Sequence, residues 1–271
     1  MSASESSKPR HLQADYAAQF ADASVVEAYA ARPPYPESVF ERLAALAAPA
    51  GGYALDLGAG TGDITFRLAE RMRGVDAVEP SAAMVEAARR RAAVPRVRWF
   101  EQPAERFQPE RQYALVVAGE SLHWMNWDVV LPMIARALAP GAQLAIVADR
   151  VLEDLPWQAE LSALVAEYST NRDYRPYDIA HELSARGLFR ERERCQCYGA
   201  ELTQPLAAYV TSFHSRNGFS RERMEPGRAA AFDAAVERLV RSYVTNDTVT
   251  CRVRSTVIWG TPSVSSAGAL R

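Results

Sequence analysis

The chain has 271 residues, 48% hydrophobic and 24% charged, a composition expected of an ordinary soluble globular protein. Its 31 basic and 33 acidic residues nearly cancel, and Lys8 is the only lysine. With no basic cluster to meet phosphates, nucleic acid is not expected as a partner.

No apolar run is long enough to span a bilayer, and the start MSASESSKPR lacks the core of a signal peptide. A cytoplasmic protein with no membrane contact is expected. Cys195, Cys197 and Cys251 are too few and wrongly spaced for a disulfide framework or a zinc site, so buried thiols and no metal are expected.

In chain order, residues 1–12 and the tail Ser263–Arg271 are polar or small and predict disorder. From Gln13 to Ala31 the pattern is helical but thinly apolar, with Tyr16, Phe20, Val25, Val26 and Tyr29. A weakly packed aromatic helix there suits a lid over residues 13–36. Arg32-Pro33-Pro34-Tyr35-Pro36 must run extended, and Pro36 can open a helix carrying Val39, Phe40, Leu43 and Leu46.

Tyr53–Leu57 reads as a strand buried on both faces, broken by Gly58, Gly60 and Gly62. A helix with Ile64, Leu68 and Met72 on one face follows, with Gly74 as its expected stop. A second strand, Val75–Val78, ends at Glu79 and Pro80, and Ser81 is placed to cap a helix through Arg91. Further strands are predicted at Arg96–Phe100, Tyr113–Ala118 and Ala142–Asp149, with a helix from Asp128 to Leu138.

Beyond Asp149 the pattern predicts helices over Trp157–Tyr168 and Tyr177–Ala185, then a strand around Arg190–Cys197. A helix from a capping Thr203 to Phe213 follows, then a longer one with Phe232, Val236, Leu239 and Tyr243, and a last strand Thr248–Trp259. The long insertions at 150–189 and 199–247 suggest a helical cap over the carboxyl edge of the sheet. The whole is an α/β fold: a Rossmann-like, doubly wound, mostly parallel seven-stranded sheet. Residues 13–149 form its core, and residues 150–262 carry the cap and the last two strands.

Strand, glycine-rich turn and helix present backbone N–H groups to a nucleotide-like ligand. The dinucleotide fingerprint has glycines at relative positions 1, 3 and 6, whereas here they fall at 1, 3 and 5, and Asp63 stands at 6. A nicotinamide dehydrogenase is therefore disfavoured. Asp56 suits an amino group, and Glu79 at the tip of the second strand can accept bonds from both ribose hydroxyls of an adenosine.

In Asp56, the three glycines and Glu79 the sequence resembles the class I S-adenosylmethionine (SAM)-dependent methyltransferases. The start with Phe20, Val25, Tyr29 and Arg32-Pro33-Pro34-Tyr35-Pro36, and the later Glu120-Ser121-Leu122-His123-Trp124, resemble the trans-aconitate methyltransferase-like, small-molecule branch. The resemblance implies that Asp56, Gly58, Gly60 and Gly62 hold the methionine part of SAM, and Glu79 with Pro80 the ribose. It places Ala104 and Glu105 at the adenine, although Pro103 stands where an acidic or amide residue is common. Glu120 would face the methionyl amine and the methyl, and Arg32 the SAM carboxylate.

The expected activity is methyl transfer from SAM to a small-molecule acceptor, acidic or a natural product, leaving S-adenosylhomocysteine (SAH). Transfer to a carboxylate or hydroxyl oxygen is favoured over nitrogen or carbon. The alternative is a SAM-bound protein that isomerises, cyclises or only binds. A carboxylate acceptor needs no base; for a hydroxyl, His123 and His214 are the candidates. Arg172, Arg175 and Arg216 could pair an acidic substrate. A monomer or homodimer is expected.

Overall fold

A computed structural model describes residues 8–12, 14–47 and 51–263. The N-terminal segment is a chain of short turns. It comprises a 3-10 turn at Arg10–Leu12, α1 (Ala14–Ala17), a 3-10 turn at Ala18–Ala21, α2 (Ala23–Ala28) and a 3-10 turn at Tyr29–Ala31. After the extended prolines come α3 (Glu37–Ala47), β1 (Tyr53–Leu57), α4 (Asp63–Ala69), β2 (Gly74–Glu79), α5 (Ala82–Arg91), β3 (Val97–Glu101) and β4 (Tyr113–Gly119). The second half holds α6 (Trp127–Ala137), β5 (Leu138–Glu153), α7 (Gln158–Tyr168), α8 (Ile179–Ala185), β6 (Phe189–Pro205), α9 (Leu206–Phe213), α10 (Arg228–Val240) and β7 (Thr248–Pro262). No helix of the described residues is long and apolar enough to cross a membrane.

The seven strands form one sheet in the order β3-β2-β1-β4-β5-β7-β6, parallel except for β7, which runs antiparallel to both neighbours. Alternate residues of the central strands serve opposite faces, as the strand period of two requires. Leu55, Leu57, Val116 and Leu144 pack with Val130, Leu131 and Ile134 of α6. Ala54, Leu115, Val117 and Ala145 pack with Val39, Phe40 and Leu43 of α3 and with Ile64 and Leu68 of α4. A third cluster, with Trp157, Tyr209, Phe213, Phe232 and Val236, joins α7, α9 and α10 over the far ends of β5 and β7.

Several expectations shift. α4 ends at Ala69, and Gly74 opens β2 opposite Tyr53 instead of stopping the helix. A Cβ on Gly74 would lie 2.9 Å from the Tyr53 ring and 3.1 Å from the Arg96 carbonyl, so close strand packing explains that glycine. Thr203 caps no helix: it pairs with Thr250 across β6 and β7, and α9 starts after Pro205. Tyr243 lies beyond α10 and is exposed.

Of the tail expected to be disordered over 1–12, residues 1–7 lie outside the described residues, but Arg10–Leu12 form a turn in which His11 and Leu12 are buried. At the other end, residues 264–271 lie outside the described residues.

The N-terminal segment is bound to the cap more than its sparse aliphatics suggest. Asn217 Nδ2 donates to the Tyr16 carbonyl (2.9 Å) and Gly218 N to Gln19 Oε1 (2.7 Å). Asp22 accepts from Ser220 Oγ (2.5 Å) and from Arg223 Nε (2.6 Å), and Glu222 accepts from Ser24 N (2.9 Å).

Candidate functional site

Strand order reverses between β1 and β4, and ligands of open α/β sheets bind at the carboxyl ends flanking such a reversal. Here a cavity lies there, walled by the turn after β1, the tips of β2 and β4, and the N-terminal segment. Gly58 N and Ala59 N both donate to the Val78 carbonyl (2.8 and 3.1 Å), which ties the turn to β2. Gly58 and Gly62 have φ of +70° and +87°, and a Cβ on them would fall 2.4 Å from Ser121 Cβ and 2.6 Å from the Phe66 ring. Only glycine keeps this cradle open.

Glu79 reaches back under the turn. Its Oε2 accepts from Gly60 N and its Oε1 from Ser81 N, both at 2.9 Å. Burial raises its pKa despite the two backbone donors. Each oxygen keeps a lone pair that a ribose hydroxyl can use.

Asp56 is almost wholly buried and accepts one bond, from Thr65 Oγ1 at 2.6 Å. Burial pushes its pKa to about 7, against the Thr65 bond and with help from the Glu79 and Asp63 carboxylates.

Glu120, just past β4, holds a left-handed φ of 50°. Its carboxylate accepts from Tyr35 Oη (2.9 Å), Arg150 Nε (2.8 Å) and Arg32 Nη1 (3.4 Å). Burial would raise its pKa, but Arg150 and Arg32 outweigh that and hold it at about 2. Arg150 also donates to Asp63 Oδ2 (3.1 Å) and to the Pro33 carbonyl (3.3 Å).

Sequence reasoning missed Tyr35, Asp63 and Arg150 as members of this network. The position of Arg150 at the tip of the fifth strand was the available signal. Arg32 lies on the cavity, but its three nitrogens are shared among Glu120, Ser215 Oγ (2.8 Å) and the Ser215 carbonyl (2.6 Å).

Pro80, Ala104 and Glu105 line the cavity as expected. However, Glu105 Oε1 accepts from Asn126 N at 2.6 Å and so braces the entry to α6.

The two histidines part company with the site. The turn Leu122–Trp124 turns Trp124, not His123, to the cavity wall. His123 packs on Trp124 (4.6 Å between centroids) and Tyr177 (6.0 Å), and burial lowers its pKa to about 3, so the ring is neutral.

His214 is fully buried inside the cap, with Nδ1 2.8 Å from the Phe219 carbonyl and Nε2 2.6 Å from Asp233 Oδ1. Both ring nitrogens are engaged and the ring does not line the cavity, an arrangement unlike the one expected of a base at the acceptor. Among the described residues no group of three or more His, Cys, Asp or Glu is placed to hold a metal ion.

The fold class implies SAM as cofactor, and the residues fit it. The glycine cradle admits a close approach that any Cβ would block. Glu79 offers acceptors to a vicinal diol, and Asp56 has a carboxylate oxygen to spare for an ammonium.

Comparison with known proteins agrees. Residues 54–141 match the family model described as a methyltransferase domain. An uncharacterized methyltransferase of Mycobacterium tuberculosis (strain ATCC 25618 / H37Rv) is 35% identical over 144 residues, covering 52% of this chain and 57% of the relative. A trans-aconitate 2-methyltransferase of Paracidovorax citrulli is 36% identical over 109 residues, covering 39% of this chain and 42% of the relative. The chain thus spans little more than half the length of the curated relatives it matches.

Among solved structures, a candidate type II methyltransferase from Anaeromyxobacter dehalogenans shares 27% identity at a TM-score of 0.63, covering 85% of this chain and 97% of the other. A methyltransferase-like chain from Bacillus halodurans, at 16% identity and a TM-score of 0.52, covers 84% of this chain and 100% of its own and shares the fold. Residues 54–141 thus match a methyltransferase domain, and the chain shares the fold of these solved methyltransferases.

Proposed function

We propose that the protein transfers a methyl group from SAM to an oxygen of a small-molecule acceptor, and that the acceptor oxygen is a carboxylate. The observation that carries this reading is the meeting of the glycine cradle, Glu79, Asp56 and Glu120 in one cavity at the strand-order reversal. Glu79 holds the ribose, Asp56 the methionyl ammonium, and the turn brings backbone close to the ligand. When bound, the cofactor supplies an already activated methyl on a sulfonium. The protein then needs to align the acceptor, and alignment alone is worth several kcal/mol, on the order of 7–11 in model reactions.

Phe20, Trp124 and Met125 wall the cavity and exclude water. Among the described residues neither candidate histidine is poised as a base at the cavity, which supports a carboxylate over a hydroxyl: His123 is off the wall and weakly basic, and His214 has both ring nitrogens bonded in the cap. Several relatives are named trans-aconitate 2-methyltransferases, which is in keeping with an acidic acceptor.

The test supplies methyl-labelled SAM and a panel of aliphatic di- and tricarboxylates, hydroxyaryls and amines to the full chain, and follows both SAH and labelled product. Labelled carboxylate esters with equimolar SAH are expected. Glu79→Ala should weaken SAH binding by about 2–4 kcal/mol, the scale of two bonds to a charged acceptor. Labelled amines or aryl ethers alone would overturn the carboxylate assignment, and unchanged SAH affinity in Glu79→Ala would overturn the cofactor pose.

A further inference from the structure

Next in the chain to Ser215, which holds Arg32, is a cation that the network above does not use. Arg216 follows α9, its backbone N bonded to the Phe213 carbonyl (2.9 Å) and its guanidinium 4.5 Å from the Phe213 ring centroid. Among the described residues its side chain makes no ion pair and no hydrogen bond, whereas its neighbours are committed. Arg32 and Arg150 share Glu120, and Arg150 and Arg91 share Asp63. Two carboxylates are therefore shared among three guanidiniums, and neither is paired with Arg216.

Burial and the nearby Arg32 charge pull the Arg216 pKa below its ordinary value, against the pull of Tyr209 and Glu120. Arg216 is partly exposed and directly follows Ser215, whose hydroxyl and carbonyl hold Arg32 at the cavity wall. A partly buried guanidinium without a counter-ion keeps its donors open, and its planar fork matches a carboxylate in two-point geometry. Arg32, the residue expected to meet that carboxylate, has its nitrogens taken by Glu120 and Ser215.

We propose that Arg216 is the carboxylate-recognition residue of this site, closing on either the amino-acid carboxylate of the cofactor or a carboxylate of the acceptor. The proposal rests on the methyltransferase reading above. The two sources present the same chemistry to the guanidinium and differ in which ligand loses affinity when it is removed.

The test uses the full chain, wild type and with Arg216→Met or Arg216→Lys, in three calorimetric titrations: SAH, decarboxylated SAM, and trans-aconitate into the SAH-loaded protein. If the partner is the cofactor carboxylate, Arg216→Met weakens SAH about ten- to a hundredfold, the range for a charge-assisted pair, and leaves decarboxylated SAM unchanged. If it is the acceptor, SAH affinity is unchanged and trans-aconitate binding is lost, with partial recovery in Arg216→Lys. In both cases the ligand-free Arg216→Met protein melts close to the wild-type temperature, because only the contact with the Phe213 ring is lost. A merely structural arginine would lower it.

SAH binding that is equal in all three proteins, together with trans-aconitate binding that is absent or equal in all three, overturns the assignment while leaving the methyltransferase reading in place. Failure of the wild type to bind SAH removes that reading first, and the inference with it.

Discussion

Replacing Asp56 with asparagine should separate stability from cofactor binding, with opposite signs. The carboxyl goes from an ordinary 3.8 to about 7 when burial takes it out of water. Keeping it ionised at pH 8 therefore costs about 4 kcal/mol, at 1.36 kcal/mol per pH unit of difference. Because the folded pKa is the higher one, the group favours the native state fully below the unfolded value and loses that contribution as pH rises through about 7.

Asp56→Asn should thus be near neutral in urea unfolding at pH 4 and stabilise the ligand-free protein at pH 8. About 1 kcal/mol of that gain is returned if the Thr65 bond weakens. Binding runs the other way, since an ammonium requires the ionised carboxylate. Lowering the pH from 7.5 to 5.5 should reduce wild-type SAH affinity by about 25-fold, the change in ionised fraction for a group near 7. In Asp56→Asn the affinity should be weak and much flatter with pH. Calorimetric titration of SAH at both pH values, beside urea melts of both proteins, reads the two effects. A destabilised Asp56→Asn at pH 8, or wild-type affinity that does not change between pH 7.5 and 5.5, would refute the reasoning.

Three further substitutions have outcomes set by the geometry. His123→Gln should retain methyl transfer within a few-fold, whereas His214→Ala should lower stability by about 1–3 kcal/mol because it leaves the Phe219 carbonyl and one oxygen of Asp233, which keeps Arg221, without their partner; turnover assays and thermal melts would distinguish the two. Asp22→Ala, which removes the bonds from Ser220 and Arg223, should speed proteolytic cleavage within residues 14–31 by severalfold with little change in the global melt; equal cleavage rates would show that the cap does not hold the N-terminal segment down.

The turn after β1 was legible in the sequence because its determinants are local. Glycines at alternate positions, an acid before them and a buried strand on each side specify a conformation that few other residues allow. β1, the middle of β2 and of β4, and the Ser81 cap followed from the same short-range patterns.

What the sequence could not decide depended on partners far along the chain. β5 runs on past Asp149 because Val151, Leu152 and Glu153 find Arg254, Val253 and Arg252, and β6 reaches Pro205 because Thr248 lies opposite it. Thr203 looks like a helix cap until that pairing makes it a strand residue. The two histidines looked alike as candidate bases. Tertiary packing turned one aside against Trp124 and Tyr177 and locked the other between Phe219 and Asp233.

Arg216 carries no local mark at all, and Arg150 only its place just past the predicted fifth strand. Their meaning comes from which carboxylates the fold brings within reach of each, and Coulomb attraction and desolvation depend on distance in space, not on separation along the chain.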